Sequence, residues 1–203
     1  TADELSSAIA KIIAYEANPS TTWTLEGKFV MDDNDEFPRV VDNVIQRAGT
    51  PFSSVVRFRQ SDFSYEPNIK VSARRRTRAG TRELLRAWNE GMGTMTFFGH
   101  GGPNLWTHER LFHLAVEMPQ LSNAPRLPLL TCASCDNAWL NYPVPPVTVS
   151  MGELFLKKPE GGAIGVFAPV AGASPFEHQT LVAHLMDSLH RRGVRAQGDL
   201  VLY

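Results

Sequence analysis

Two short stretches decide how this chain folds: Phe97-Phe98-Gly99-His100-Gly101-Gly102 and, further on, Leu129-Leu130-Thr131-Cys132-Ala133-Ser134-Cys135. Each reads as an apolar strand that stops abruptly at a reactive side chain. Working outward, apolar runs at 28–31, 55–59, 94–98, 127–131 and 162–168 alternate with segments of helical spacing. Most of these runs are nearly continuous rather than alternating, which marks strands buried on both faces. That pattern requires a mostly parallel sheet with helices on either side. The expected fold is α/β: a three-layer, doubly wound, mostly parallel sheet.

The helical segments are read from their spacing. Leu5, Ala8, Ile9, Ile12 and Ile13 follow Asp3-Glu4 and predict an amphipathic first helix. Pro38 suits the first turn of a second, with Val40, Val41, Val44 and Ile45 facing inward. Thr81 reads as the cap of a third carrying Leu84, Leu85 and Trp88, and Leu111, Leu114, Ala115 and Met118 predict a fourth after His100. A Pro-rich loop (Pro143, Pro145, Pro146) precedes a fifth at 150–157, and Leu181, Val182, Leu185, Met186 and Leu189 make the last, closed by Gly193. The run Arg74-Arg75-Arg76-Thr77-Arg78 has no interleaved aromatic residue and reads as a solvated or protease-sensitive loop.

Composition narrows the function classes. At 203 residues, with 43% apolar and 20% charged side chains, the chain has the make-up of a soluble globular domain. A net charge of −1 gives no global electrostatic case for nucleic acid or acidic membranes, and no apolar run reaches the ~20 residues of a membrane span. The two cysteines, three apart, have three readings: a redox pair, half a zinc site, or a nucleophile with a bystander. No second Cys-x-x-Cys or His-x-x-x-His completes a zinc site, and the Gly-Pro turn of a thioredoxin-like motif is missing, so no metal or cofactor is expected.

Groups at the carboxyl ends of neighbouring parallel strands share one crevice. A thiol attacks only as the thiolate, and His100 is placed to take its proton and later protonate a leaving amine. Gly101 has no side chain, so its backbone N–H can approach an oxyanion closely. Together with the cysteine N–H it would stabilise a tetrahedral intermediate by about 3 kcal/mol per donor. An esterase would need a Gly-x-Ser-x-Gly elbow, and the nearest approach, Gly172-Ala173-Ser174-Pro175-Phe176, has Phe176 in place of the second glycine. No Lys-Ser/Thr follows Gly99 to Gly102, so the segment is not a phosphate loop.

These residues resemble the gingipain family of cysteine peptidases, in the clan that includes caspases, legumain and separase. The likeness runs through Lys11-Ile12-Ile13-Ala14-Tyr15-Glu16, Phe29-Val30-Met31-Asp32-Asp33 and Asn89-Glu90-Gly91. It continues in Phe98-Gly99-His100-Gly101 with Trp106, Cys135-Asp136-Asn137-Ala138, Ser150-Met151-Gly152-Glu153 and Gly161-Gly162-Ala163-Ile164.

The resemblance implies a caspase-like fold and a cysteine endopeptidase without cofactor, acting on polypeptides. His100 is then the catalytic histidine, Gly101 the oxyanion donor and Cys135 the nucleophile. Cys135 is preferred because Cys132 continues the apolar strand and because the residues after Cys135 match the family better. An acid that orients the histidine is expected among Asp32, Asp33, Asp35 and Glu36, with Glu36 the chosen candidate. The resemblance also implies one peptidase domain over 1–203 that lacks the family's first strand and last helix, further domains in a longer parent, and a secreted or surface-attached location. Two alternatives stand beside it: an inactive relative that binds peptides or partners, and a Cys132–Cys135 redox pair.

Overall fold

The five apolar runs pair into one parallel sheet. Strands β1 (Glu26–Met31), β2 (Ser54–Arg59), β3 (Thr94–Phe98), β4 (Leu129–Ala133) and β5 (Gly165–Phe167) lie in the order β5-β4-β3-β1-β2. The structure, a computed structural model, describes residues 1–17, 22–48, 54–140, 149–194 and 198–201. The Pro-rich loop expected at Pro143, Pro145 and Pro146 lies outside them. The chain builds outward from β1 to β2, then returns to add β3 on the other side of β1. That reversal is the switch point at which a doubly wound sheet opens a crevice beyond its carboxyl ends.

Helices α1 (Ala2–Ala17), α2 (Glu36–Ala48), α3 (Arg78–Asn89), α4 (Met151–Lys157) and α5 (Pro175–Met186) complete the fold. Alternation along the strands divides the core. Val30 and Phe97 join a cluster with Trp88, Trp106, Phe112 and Phe155, whereas Phe29, Met31 and Phe98 join Val41 and Val44 of α2 and Val182 of α5. The first cluster is largely aromatic, with Trp106 stacked on Phe97 at 4.2 Å and Trp88 on Phe155 at 4.9 Å. Two buried lysines close helix ends. Lys28 Nζ donates to the carbonyls of Ala87 and Gly91 beyond α3, and Lys11 Nζ to those of Phe155, Lys158 and Gly161 around the end of α4. Each ammonium supplies donors to carbonyls in the last turn of a helix and in the segment just beyond it.

Several elements differ from the sequence expectation. The segment after His100 is not a helix. It folds as a small antiparallel sheet of Gly101–Gly102, Leu105–Trp106 and Phe112–His113, followed by a 3-10 turn at Met118–Gln120. Thr107 and Arg110 adopt left-handed backbone angles (φ 62° and 61°), which turn the chain back on itself, and Phe112–His113 then pairs as a strand instead of opening a helix. The helical spacing of Leu111 and Met118 reflects burial in the aromatic cluster instead.

Helix α3 starts earlier than expected, capped by Thr77, whose Oγ1 accepts from Gly80 N–H at 3.1 Å. Strand β4 runs on to Ala133. Helix α1 is present, but Leu5, Ile9, Ile12 and Ile13 are exposed and its buried residue is Lys11. The arginine run is not free loop: Arg75 pairs with Asp33 and Glu109, and Arg76 with Glu117.

Candidate active site

Strands β3 and β4 are in register, with Phe97 opposite Cys132 and Phe98 opposite Ala133. Gly99 N–H donates to Ala133 O at 3.3 Å, continuing the ladder one step past the strand ends. His100 and Cys135 each follow two residues after the last paired position, so the sheet delivers both to the same edge of adjacent strands. The two loops touch. A Cβ on Gly101 would lie 2.9 Å from Ser134 Cβ and 3.0 Å from Cys135 O, so only glycine lets the backbone after His100 pack on the cysteine loop. Among the described residues, Cys135 N–H donates to no backbone carbonyl.

The two cysteines have different surroundings. Cys132 is buried within β4, and desolvation pushes its thiol well above the ordinary range despite the nearby Trp106 indole. Cys135 is only partly buried, with Sγ 3.9 Å from Ala173 O. Asp136 (φ 57°) turns the chain immediately afterwards, and its N–H and that of Ala138 donate to Ala171 O and Pro169 O. The segment after β5 therefore forms the far wall beside Cys135.

Asn137 ties this wall to the histidine loop. It is fully buried, accepts from Trp106 Nε1 (3.0 Å) and Ser134 Oγ (2.5 Å), and donates through Nδ2 to Gly102 O (2.6 Å). The sequence match picked out this residue without assigning it a role, because the role depends on three partners distant in the chain.

Asp32, at the end of β1, holds the backbone of the histidine. Its Oδ2 accepts from His100 N–H at 2.9 Å and its Oδ1 from Asp33 N–H at 2.8 Å. Gly99 leaves room for it, since a Cβ there would come within 2.6 Å of Asp32 Cβ. Burial pushes the Asp32 carboxyl up to about 7; the two backbone donors oppose that shift, and the nearby Asp33 and Glu109 charges add to it. Glu36 opens α2 with its side chain exposed, one residue before Phe37, whose ring meets the His100 ring edge-on at 5.8 Å. One face of His100 carries the His108 ring, stacked at 4.6 Å and 15°.

One grouping of possible metal ligands occurs among the described residues: Asp32, Asp33 and Glu109, whose oxygens lie within 4.8 Å of one another. A guanidinium already spans it. Arg75 donates to Asp33 Oδ2 (2.7 Å) and Glu109 Oε1 (3.3 Å) and lies over the Tyr65 ring. Tyr65 Oη donates to the same Asp33 oxygen.

The sequence profile of peptidase family C25 matches residues 1–203. The chain belongs to this family. Its fold is that of the gingipains. The crystal structure of the Arg-specific cysteine proteinase gingipain R superposes with a TM-score of 0.70 at 16% identity, over 98% of this chain and 45% of that one. The complex of Porphyromonas gingivalis RgpB pro- and mature domains gives a TM-score of 0.67 at 16% identity, over 91% and 42%. A third structure, described only as a protease, gives 0.63 at 14% identity, over 89% and 37%. This C25 chain thus spans less than half the length of the solved chains it resembles. No curated protein matches it significantly. Among the described residues, no helix is long and apolar enough to cross a membrane.

Proposed function

We propose that this C25 chain is a cysteine endopeptidase in which Cys135 is the nucleophile and His100 the general acid and base. The observation that carries the reading is the meeting of the two strand-end loops. The in-register strands β3 and β4 end two residues before His100 and Cys135, and the backbone at Gly101 approaches the Cys135 carbonyl so closely that a Cβ there would lie 3.0 Å from it, which supports the two working as a pair.

In this reading His100 accepts the Cys135 thiol proton, and the thiolate attacks the scissile carbonyl carbon. The Gly101 and Cys135 N–H groups bind the resulting oxyanion. As the intermediate collapses, the C–N bond breaks and the His100 proton passes to the leaving amine. Water, deprotonated by His100, then hydrolyses the thioester and regenerates the thiol. Cys132 is a packing residue, since a buried thiol with a raised pKa is neither accessible nor ionised. Asp32 fixes the His100 backbone. Glu36 is kept as the proposed orienting acid, although among the described residues no side chain hydrogen-bonds the imidazole; an unchanged kcat in Glu36→Gln would remove it from the mechanism.

A peptidyl probe with a thiol-reactive group tests the central assignment. The expected result is one adduct on Cys135, retained in Cys132→Ala and lost in His100→Ala. Labelling and turnover that survive Cys135→Ala would refute it.

A further inference from the structure

We propose that His108 is a positioning residue for His100: its ring, stacked on the imidazole face, holds the histidine in the plane from which it serves Cys135. The proposal rests on the peptidase reading above.

Among the described residues, the hydrogen bonds of His100 are made by its backbone alone. Its N–H donates to Asp32 Oδ2, and its carbonyl accepts from Thr107 N–H at 2.8 Å. These bonds fix the Cα but leave the ring free to turn about its side-chain torsions. Two rings restrict it. Phe37 meets one edge at 86°, and His108 covers a face at 4.6 Å with the planes 15° apart. A parallel stack is lost when one ring rotates, so His108 fixes the orientation that general-base catalysis needs.

His108 is held in place by more than chance proximity. Thr107, just before it, is β-branched yet sits at φ 62°, and Arg110, just after Glu109, sits at φ 61°. Left-handed backbone at such residues is unfavourable and tends to gather at functional sites. The short segment between them is clamped. His108 O accepts from Ser72 Oγ (3.1 Å) and Ala73 N–H (3.4 Å), and buried Glu109 accepts from Gln60 Nε2 and Arg75 Nε. The outcome of this mounting is an exposed imidazole placed on the face of His100. Core packing does not account for an exposed ring.

The test measures the rate of Cys135 alkylation by iodoacetamide at neutral pH, with kcat and KM on a fluorogenic peptide, in His100→Ala, His108→Ala, His108→Gln and His108→Phe. His108→Ala and His108→Gln are expected to slow alkylation and kcat roughly tenfold with KM within about twofold, and His108→Phe, which keeps a flat ring, to recover to within about threefold of the parent. Parental rates in His108→Ala, or a His108→Phe variant as slow as His108→Ala, would overturn the proposal. If His108→Ala is poorly folded, the comparison of Gln with Phe decides in the same way. If His100→Ala itself alkylates at the parental rate, the peptidase reading fails, and the positioning role falls with it.

Discussion

Adjacent glycines after His100 offer a matched pair of perturbations. A Cβ at Gly101 would meet Ser134 Cβ and Oγ at 2.9 Å and Cys135 O at 3.0 Å, whereas one at Gly102 meets nothing within 4 Å. Ordinary contact begins near 3.4 Å, so Gly101→Ala forces the histidine and cysteine loops about half an ångström apart. Overpacking of this kind costs about 1–3 kcal/mol in stability. Its effect on turnover should be larger in proportion. The displaced group is the proposed oxyanion donor, and loss of one such donor is worth roughly 3 kcal/mol, or about a hundredfold in kcat. The assay is kcat and KM on a fluorogenic peptide, with urea unfolding of both variants alongside. Gly101→Ala should lose between about tenfold and a hundredfold in kcat with KM little changed, and Gly102→Ala should match the parent. Equal activity in the two variants would show that the contact between the loops has no catalytic consequence.

Other predictions concern the supports of the site. The Asp32 carboxyl is raised from 3.8 to about 7 in the fold, chiefly by burial, so between those values the unfolded chain loses a proton that the folded chain keeps. The group's stabilising contribution is therefore complete below pH 4 and is lost as pH rises to 7. The stability of the parent relative to Asp32→Asn should fall by on the order of 4 kcal/mol across that window in urea titrations, and a flat difference would refute the assignment. Lys11→Met strands the carbonyls of Lys158 and Gly161, just beyond α4, while Phe155 O keeps the Ala163 N–H; it should cost about 3 kcal/mol, with α1 becoming the first site of limited proteolysis. Asn137→Asp keeps the acceptors for Trp106 and Ser134 but sets a carboxylate against Gly102 O, so it should be markedly less stable at pH 8 than at pH 5, where a protonated acid can donate to that carbonyl.

The sheet was legible because burial on both faces leaves a direct trace in sequence. Each of the five apolar runs became a strand, and the stops at His100 and Cys135 fell at the carboxyl edge. What misled was periodicity without regard to backbone. Leu111, Leu114 and Met118 have helical spacing, yet Thr107 and Arg110 are left-handed and the segment turns back on itself. Neither residue type announces that conformation, since threonine and arginine seldom adopt it. In α1 the spacing did predict a helix, but the apolar face is exposed and the buried residue is a lysine that caps another helix. Asp32 was visible only as one of four competing acids. Its distinction is a hydrogen bond to a backbone 68 residues away, which no local pattern encodes.

The reversal of the chain after His100 organises the candidate site. Because the chain after His100 folds back as a small sheet, Trp106 reaches the aromatic core and donates to Asn137, and Asn137 in turn donates to Gly102. The same reversal carries His108 onto the His100 ring and Glu109 to Gln60 and Arg75. The two left-handed residues, Thr107 and Arg110, cost local stability but turn the chain so that the histidine loop, the cysteine wall and the core meet. In such an arrangement the geometry of the proposed pair depends on the segment between Gly101 and His113 as well as on the two strands.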